Sequence, residues 1–122
     1  MNKEKLIRDL CARLPYDVKV LYDNKVFSID YVSSIHEEIK LDTRDNYTIN
    51  VSDVKPYLFP LSSMTEEQKM FLKQQNWCIA ISTSGTIETT VEGIDWLNKN
   101  HFDINNLIPI GLGIDATGLN IY

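Results

Sequence analysis

The chain has 122 residues, 43% of them hydrophobic and 24% charged, and a formal net charge of -5. That length and composition predict one globular domain, 1–122, without a disordered tail. The acidic balance and scattered Lys and Arg argue against a nucleic-acid partner, and no apolar run reaches the roughly 18 residues of a membrane span.

Met1-Asn2-Lys3-Glu4-Lys5 leads into an amphipathic segment rather than the apolar stretch of an export signal, so a cytoplasmic location is expected. Leu6, Ile7, Leu10, Cys11 and Leu14 recur at helical spacing, with Lys3, Glu4, Lys5, Arg8 and Asp9 largely opposite. This predicts a helix over 2–14, stopped at Pro15. Cys11 and Cys78 each lie among apolar neighbours and read as reduced core thiols.

The period then changes to two. Val18, Val20 and Tyr22, a turn at Asp23-Asn24, then Phe27, Ile29 and Tyr31 predict a hairpin. Ile39 and Leu41, a polar turn at Arg44-Asp45-Asn46, then Tyr47, Ile49 and Val51 predict a second. Short connections make a four-stranded antiparallel meander the simplest assembly, its apolar face covered by the first helix. Val54 to Leu61 is apolar but contains Pro56 and Pro60, which predicts an extended connector rather than a central strand. Its Tyr57 and Phe59 are read as packing residues, with an exposed aromatic grip for a partner as the other use.

Thr65 followed by Gln68 fits a capping box, as do Ser63 and Glu66, opening a helix to about Gln74. Trp77 to Ser82 and Thr86 to Val91 predict a hairpin around Thr83-Ser84-Gly85-Thr86. Thr89 with Glu92 fits another capping box, for a short helix to about Asn100, and 103–107 predicts one more turn before Pro109. No internal repeat, low-complexity tract or linker stands out. The expected fold class is α+β: an N-terminal helix packed on a four-stranded antiparallel meander, followed by short helices and a glycine-rich C-terminal segment.

Gly111-Leu112-Gly113-Ile114-Asp115-Ala116 spells the G-x-G-x-x-A of a dinucleotide fingerprint, but only six residues follow Ala116 and Pro109 precedes it closely. The glycines are better explained by positive φ or tight packing, and no cofactor is expected. His36-Glu37-Glu38 lacks the second His of a metalloprotease helix, and Cys11, Cys78, His36 and His101 have no paired ligand spacing, so no metal is expected. His36 reads as a turn residue, and His101 as a helix end where positive charge is favoured. Cys78, His101 and Asp103 are the least poor nucleophilic set, without local support. Ser82-Thr83-Ser84-Gly85 lacks the G-x-S-x-G elbow.

The segments Lys55-Pro56-Tyr57-Leu58-Phe59-Pro60-Leu61-Ser62-Ser63-Met64-Thr65-Glu66 and Asp95-Trp96-Leu97-Asn98-Lys99-Asn100-His101-Phe102-Asp103 resemble those of short hypothetical proteins from gut Bacteroidales and their phages. Asp9 to Pro15 shares the resemblance, whereas Trp77 to Val91 departs from relatives that are more polar and helical there. The resemblance implies a bacterial cytosol and a prophage or mobile-element setting. It supplies no catalytic residue.

The leading expectation is a non-catalytic accessory factor that binds an unidentified protein partner. The alternative is a small-ligand binder or enzyme with a site near Trp96, His101 and Asp103. A third is a sheet whose Tyr22, Phe27, Tyr31 and Tyr47 stack on single-stranded nucleic acid. The candidate binding surface comprises Tyr57, Phe59, Trp96, His101 and Asp103. An exposed aromatic sheet face would also suit a homodimer.

Overall fold

The computed structural model describes residues 2–42, 48–81 and 87–122. The helical period near the start becomes α1 (Asn2–Arg13), which gives way to a 3-10 turn at Leu14–Tyr16 that begins with Pro15 close to its first position. The helix is rotated from the orientation its apolar residues predict. Leu6, Ile7 and Leu10 are buried as expected, but Asp9 and Arg13 are buried beside them and Cys11 is exposed. The Asp9 carboxylate and Arg13 guanidinium face each other across one helical turn, with Nε to Oδ2 at 2.7 Å and Nη2 to Oδ1 at 3.1 Å. This pair makes the polar edge of the helix its inner edge.

Period two becomes four antiparallel strands, β1 (Lys19–Tyr22), β2 (Lys25–Ser33), β3 (Glu38–Leu41) and β4 (Thr48–Asn50), in spatial order β4-β3-β2-β1. Asp23 and Asn24 join β1 to β2 at φ 50° and 61°, the left-handed pair of a two-residue hairpin turn whose twist matches the strands. Pairing of Val20 with Phe27, Ile29 with Leu41 and Ile39 with Ile49 gathers these side chains on one face, which packs with α1 in the main core. A bulge between Ile29 and Tyr31 restores the alternation, so that Val32 lies opposite Ile39 on that same face. Lys40 and Tyr31 share the other face, with Nζ 5.6 Å from the ring centroid. Val51 leaves the ladder for a 3-10 turn, Val51–Asp53, capped by Asn50. The Arg44-Asp45-Asn46 turn and Tyr47 lie outside the described residues.

The meander is extended by two strands. The segment with two prolines forms β5 (Lys55–Leu58), antiparallel to β1, where a connector is expected. Pro56 is tolerated because it is the second residue of the strand, and the further neighbour on the other side pairs only with Tyr57 and Leu58.

After β5, α2 (Glu66–Gln74) starts at Thr65 with the full capping box: Thr65 Oγ1 accepts from Gln68 N–H and Gln68 Oε1 from Thr65 N–H. The hairpin follows as β6 (Cys78–Ile81) and β7 (Ile87–Thr89); its turn lies outside the described residues. Helix α3 (Val91–Lys99) is capped one residue later than expected, by Thr90, whose hydroxyl accepts from Gly93 N–H. Thr89 instead donates its hydroxyl to the Trp77 carbonyl.

The structure also exposes a repeat that the sequence hides. Thr65, Phe71, Leu72, Asn76 and Trp77 recur at equal spacing as Thr90, Trp96, Leu97, His101 and Phe102. Each set caps a nine-residue helix and ends it the same way, with Asn76 or His101 in the left-handed region. Trp77 N–H then returns to the Leu72 carbonyl at 3.0 Å, and Phe102 N–H to Leu97 at 2.9 Å.

Residues 103–107 form carboxylate-anchored turns rather than a helical turn. The Asp103 oxygens accept from the N–H groups of Leu107 and Ile108 at 2.9 and 3.0 Å. Gly111 then takes φ 81°, and a Cβ on Gly113 would meet the Leu107 and Leu58 side chains at 3.2 and 3.3 Å. The glycine motif therefore leads into a strand, β8 (Ile114–Asp115), parallel to β5, and the sheet order is β4-β3-β2-β1-β5-β8. Among the described residues no helix is long and apolar enough to cross a membrane.

Arg13→Met keeps the volume of the stem but leaves the Asp9 charge buried without its partner. We expect a loss of about 3–5 kcal/mol in urea unfolding. A loss below about 1 kcal/mol would show that the pair does not hold α1 in place.

Candidate functional site

The end of α3 sets the geometry. His101 N–H donates to the Asn98 carbonyl at 3.1 Å, and His101 occupies the residue after the helix cap at φ 64°, where Gly or Asn is usual. A side chain in that conformation costs roughly 1–2 kcal/mol. Here it turns the imidazole out of the helix and onto Tyr122, with ring centroids 3.6 Å apart and planes 11° from parallel.

Tyr122 is itself fixed by the sheet. The β1–β5 register, continued past Val20 and Pro56, would set Lys19 against Tyr57. The Tyr122 hydroxyl stands between them, accepting from Lys19 N–H at 2.9 Å and donating to the Tyr57 carbonyl at 2.7 Å. Phe59 adjoins the same ring at 5.9 Å and Phe102 at 6.2 Å, and its backbone is tied to the end of α3 through Phe59 N–H to the His101 carbonyl and Asp103 N–H to the Phe59 carbonyl.

These rings wall a cleft of about 510 Å³. Phe59, His101, Phe102 and Tyr122 form its aromatic side; Ser63, Thr65 and Gln68 contribute from the approach to α2 and its first turn. Lys99 and Asn100 line it from the end of α3, and Thr117 and Gly118 from the loop after β8. Asn100 donates Nδ2 to the Trp96 carbonyl at 2.8 Å, and its side-chain oxygen accepts no hydrogen bond among the described residues. Lys99 has no ion-pair partner among the described residues. No Asp, Glu or Cys lines the cleft among the described residues.

Burial pushes the His101 imidazole down to about 4, and the nearby Arg13 and Lys19 charges add to this against the opposing pull of Asp17. The expectation of a positively charged His101 is therefore overturned: at a satisfied helix end, desolvation and neighbouring cations outweigh the helix dipole. Burial likewise pushes the Tyr122 phenol up to about 12. The stacked pair is neutral across the physiological range.

Of the residues singled out in sequence, His101 and Phe59 reach the cleft. Trp96 lies behind it, stacked between Phe71 and Phe102 at 5.9 Å from each. Asp103 is buried and turned to the Leu107 and Ile108 amides, so no carboxylate orients His101. Tyr57 is a buried strand residue and offers its carbonyl rather than a surface ring. Tyr22 and Phe27 pack on the core side of the sheet while Tyr31 lies on the other, so the three do not form one stacking platform. Among the described residues no three His, Cys, Asp or Glu groups gather as a metal site requires. Tyr122, Lys99, Asn100 and Thr117 carry no local signal in sequence; chain reversals alone bring them together. Comparison with protein-family models, curated proteins and solved structures finds no match.

The stacked pair also sets a pH dependence. Between about pH 6.5 and 4 the unfolded chain binds a proton at His101 that the folded chain refuses, so stability falls as pH drops through that window. From about pH 10 to 12 the folded chain retains the Tyr122 proton that the unfolded chain has lost, so stability falls again as pH rises. We expect thermal melts of His101→Asn to lose the acid limb and those of Tyr122→Phe the alkaline limb. At neutral pH, Tyr122→Phe should cost about 1–3 kcal/mol by stranding the Lys19 and Tyr57 backbone groups. An NMR titration of His101 with a midpoint near 6.5 would contradict its burial.

Proposed function

We propose that the protein acts by binding, and that the cleft under His101 and Tyr122 is its recognition site for a small ligand. The observation that carries this reading is the company His101 keeps: the aromatic rings of Phe59 and Tyr122, the hydroxyls of Ser63, Thr65 and Thr117, the Asn100 amide and the Lys99 ammonium, with no Asp, Glu or Cys side chain in the lining among the described residues. Such a lining of rings and neutral polar groups is suited to orienting a small guest. The volume falls within the roughly 300–1,000 Å³ of small-molecule pockets. One buried polar atom without a partner, His101 Nδ1, belongs to a residue of the cleft lining. The others among the described residues are Arg13 Nη1 and Asn98 Oδ1, both at or against the end of α3.

A second reading keeps the accessory factor that docks on another protein. It rests on Met70 and Phe71 of α2 and Val91 and Ile94 of α3, apolar side chains left 57%, 39%, 73% and 39% exposed. The bacterial cytosol implied by the resemblance suits either reading.

A fragment screen followed by amide NMR separates the two. The cleft reading expects hits that shift Phe59, Asn100 and His101, and that bind at least about ten-fold more weakly to Thr117→Trp, which plugs the mouth from an exposed position. Hits that shift Met70 and Ile94 and ignore Thr117→Trp would move the function to the helical face.

A further inference from the structure

Among the described residues, three buried polar atoms find no partner in the protein: Arg13 Nη1, Asn98 Oδ1 and His101 Nδ1. They belong to one place. Helix α1 packs against α3, and Arg13 Nη2, the twin of the unpaired nitrogen, donates to the Phe102 carbonyl. The His101 N–H donates to the Asn98 carbonyl at 3.1 Å, and Asn98, His101 and Phe102 are neighbours across a single turn. The Arg13 charge is also felt at the His101 imidazole. With Arg13 0% and Asn98 2% exposed, bulk solvent satisfies neither group, and a buried donor or acceptor left unmade is costly.

We infer that one buried water molecule joins the three atoms, accepting from Arg13 Nη1 and donating to Asn98 Oδ1 and to the His101 Nδ1 lone pair. The mixed chemistry of the set selects the guest. A metal cation would meet the guanidinium, while an anion would meet the Asn98 oxygen beside an arginine that Asp9 already neutralises at 2.7 Å. Water both accepts and donates. Buried waters occur at roughly one per 27 residues and typically make about three hydrogen bonds, the number offered here.

The same arrangement fixes the imidazole. With Nδ1 as acceptor, the water spends both its protons; with Nδ1 protonated, one water proton would lack an acceptor, and orphaned donors are rarer than under-used lone pairs. The guanidinium adds to this preference, since a lone pair turned towards a cation is favoured over an N–H aimed at it. The His101 proton therefore sits on Nε2. Because His101 lines the cleft, a ligand that reaches the free ring nitrogen meets a donor there.

Two NMR measurements on the full chain at neutral pH test the inference. His101 Hε1, the carbon-bound proton next to Nδ1, should show cross-relaxation to water with the NOE sign of a long-lived bound molecule. Long-range 1H–15N spectra should report Nδ1 as the unprotonated nitrogen and Nε2 as the protonated one. In Asn98→Leu, which removes one acceptor and keeps the bulk, the bound-water contact should be lost. Water contacts of the short-lived kind only, a proton on Nδ1, or a contact unchanged in Asn98→Leu would each overturn the inference; the first two are read on the native chain and do not depend on how well the variant folds. The cleft reading survives any of these, because fragment shifts at Phe59 and Asn100 do not require the water.

Discussion

The buried ion pair of Asp9 and Arg13 is the constraint on which the molecule turns. A charge pair taken out of water needs further hydrogen bonds to offset its desolvation, and here, Arg13 Nη1 excepted, they come from the far end of the chain. Arg13 Nη2 donates to the Phe102 carbonyl, and Asn105 Nδ2 donates to Asp9 Oδ1 at 2.8 Å. The helix that covers the meander is thereby locked to the segment that follows α3. Phe102 in turn forms the parallel bridge to Phe59 and stacks on Trp96, so the same link carries the wall of the cleft and the second core of Leu61, Met64, Leu72, Leu97 and Phe102.

The cleft joins the two halves of the structure in a different manner. One wall descends from helix ends and the other from a sheet seam, and the stacked His101 and Tyr122 rings are where they meet. A left-handed histidine costs more than the glycine or asparagine usual after a helix cap, and the equivalent place after α2 holds Asn76. The repeat thus supplies an internal control: the same helix-ending geometry serves structure alone in one copy and presents a ring to a cleft in the other. The Arg13 charge that anchors α1 also helps keep His101 neutral, which couples the core to the electrostatics of the cleft.

The helix, meander and capping box are legible in sequence because apolar period and local hydrogen bonds specify them without reference to the rest of the chain. Asp23-Asn24 and Thr65 with Gln68 are of this kind. Other features depend on partners distant in sequence. Asp9 reads as a solvent residue because an apolar pattern cannot register an acid buried against an arginine one turn away. Pro56 reads as a strand breaker because its neighbour β8 is too short to demand its missing donor, which only the fold reveals. The repeat escapes notice because three of its five shared positions vary in identity, Phe to Trp, Asn to His and Trp to Phe, while keeping their roles. Within the site, His101 and Phe59 stand out as polar and aromatic residues, but Asp103 is drawn away by two backbone amides and Tyr122 is recruited from far along the chain.

That distance bears on how the protein is made. Tyr122 bonds across separations of 103 and 65 residues, and Phe102 meets Arg13 across 89. Chains leave the ribosome from the N-terminus at about 5–20 residues per second, so α1 and the meander are exposed for several seconds before these partners arrive. During that interval Arg13 lacks its third acceptor and the β1–β5 seam has no hydroxyl to close it. The contacts that tie α1 and the β1–β5 seam to Phe102 and Tyr122 are therefore available only after those residues have been made.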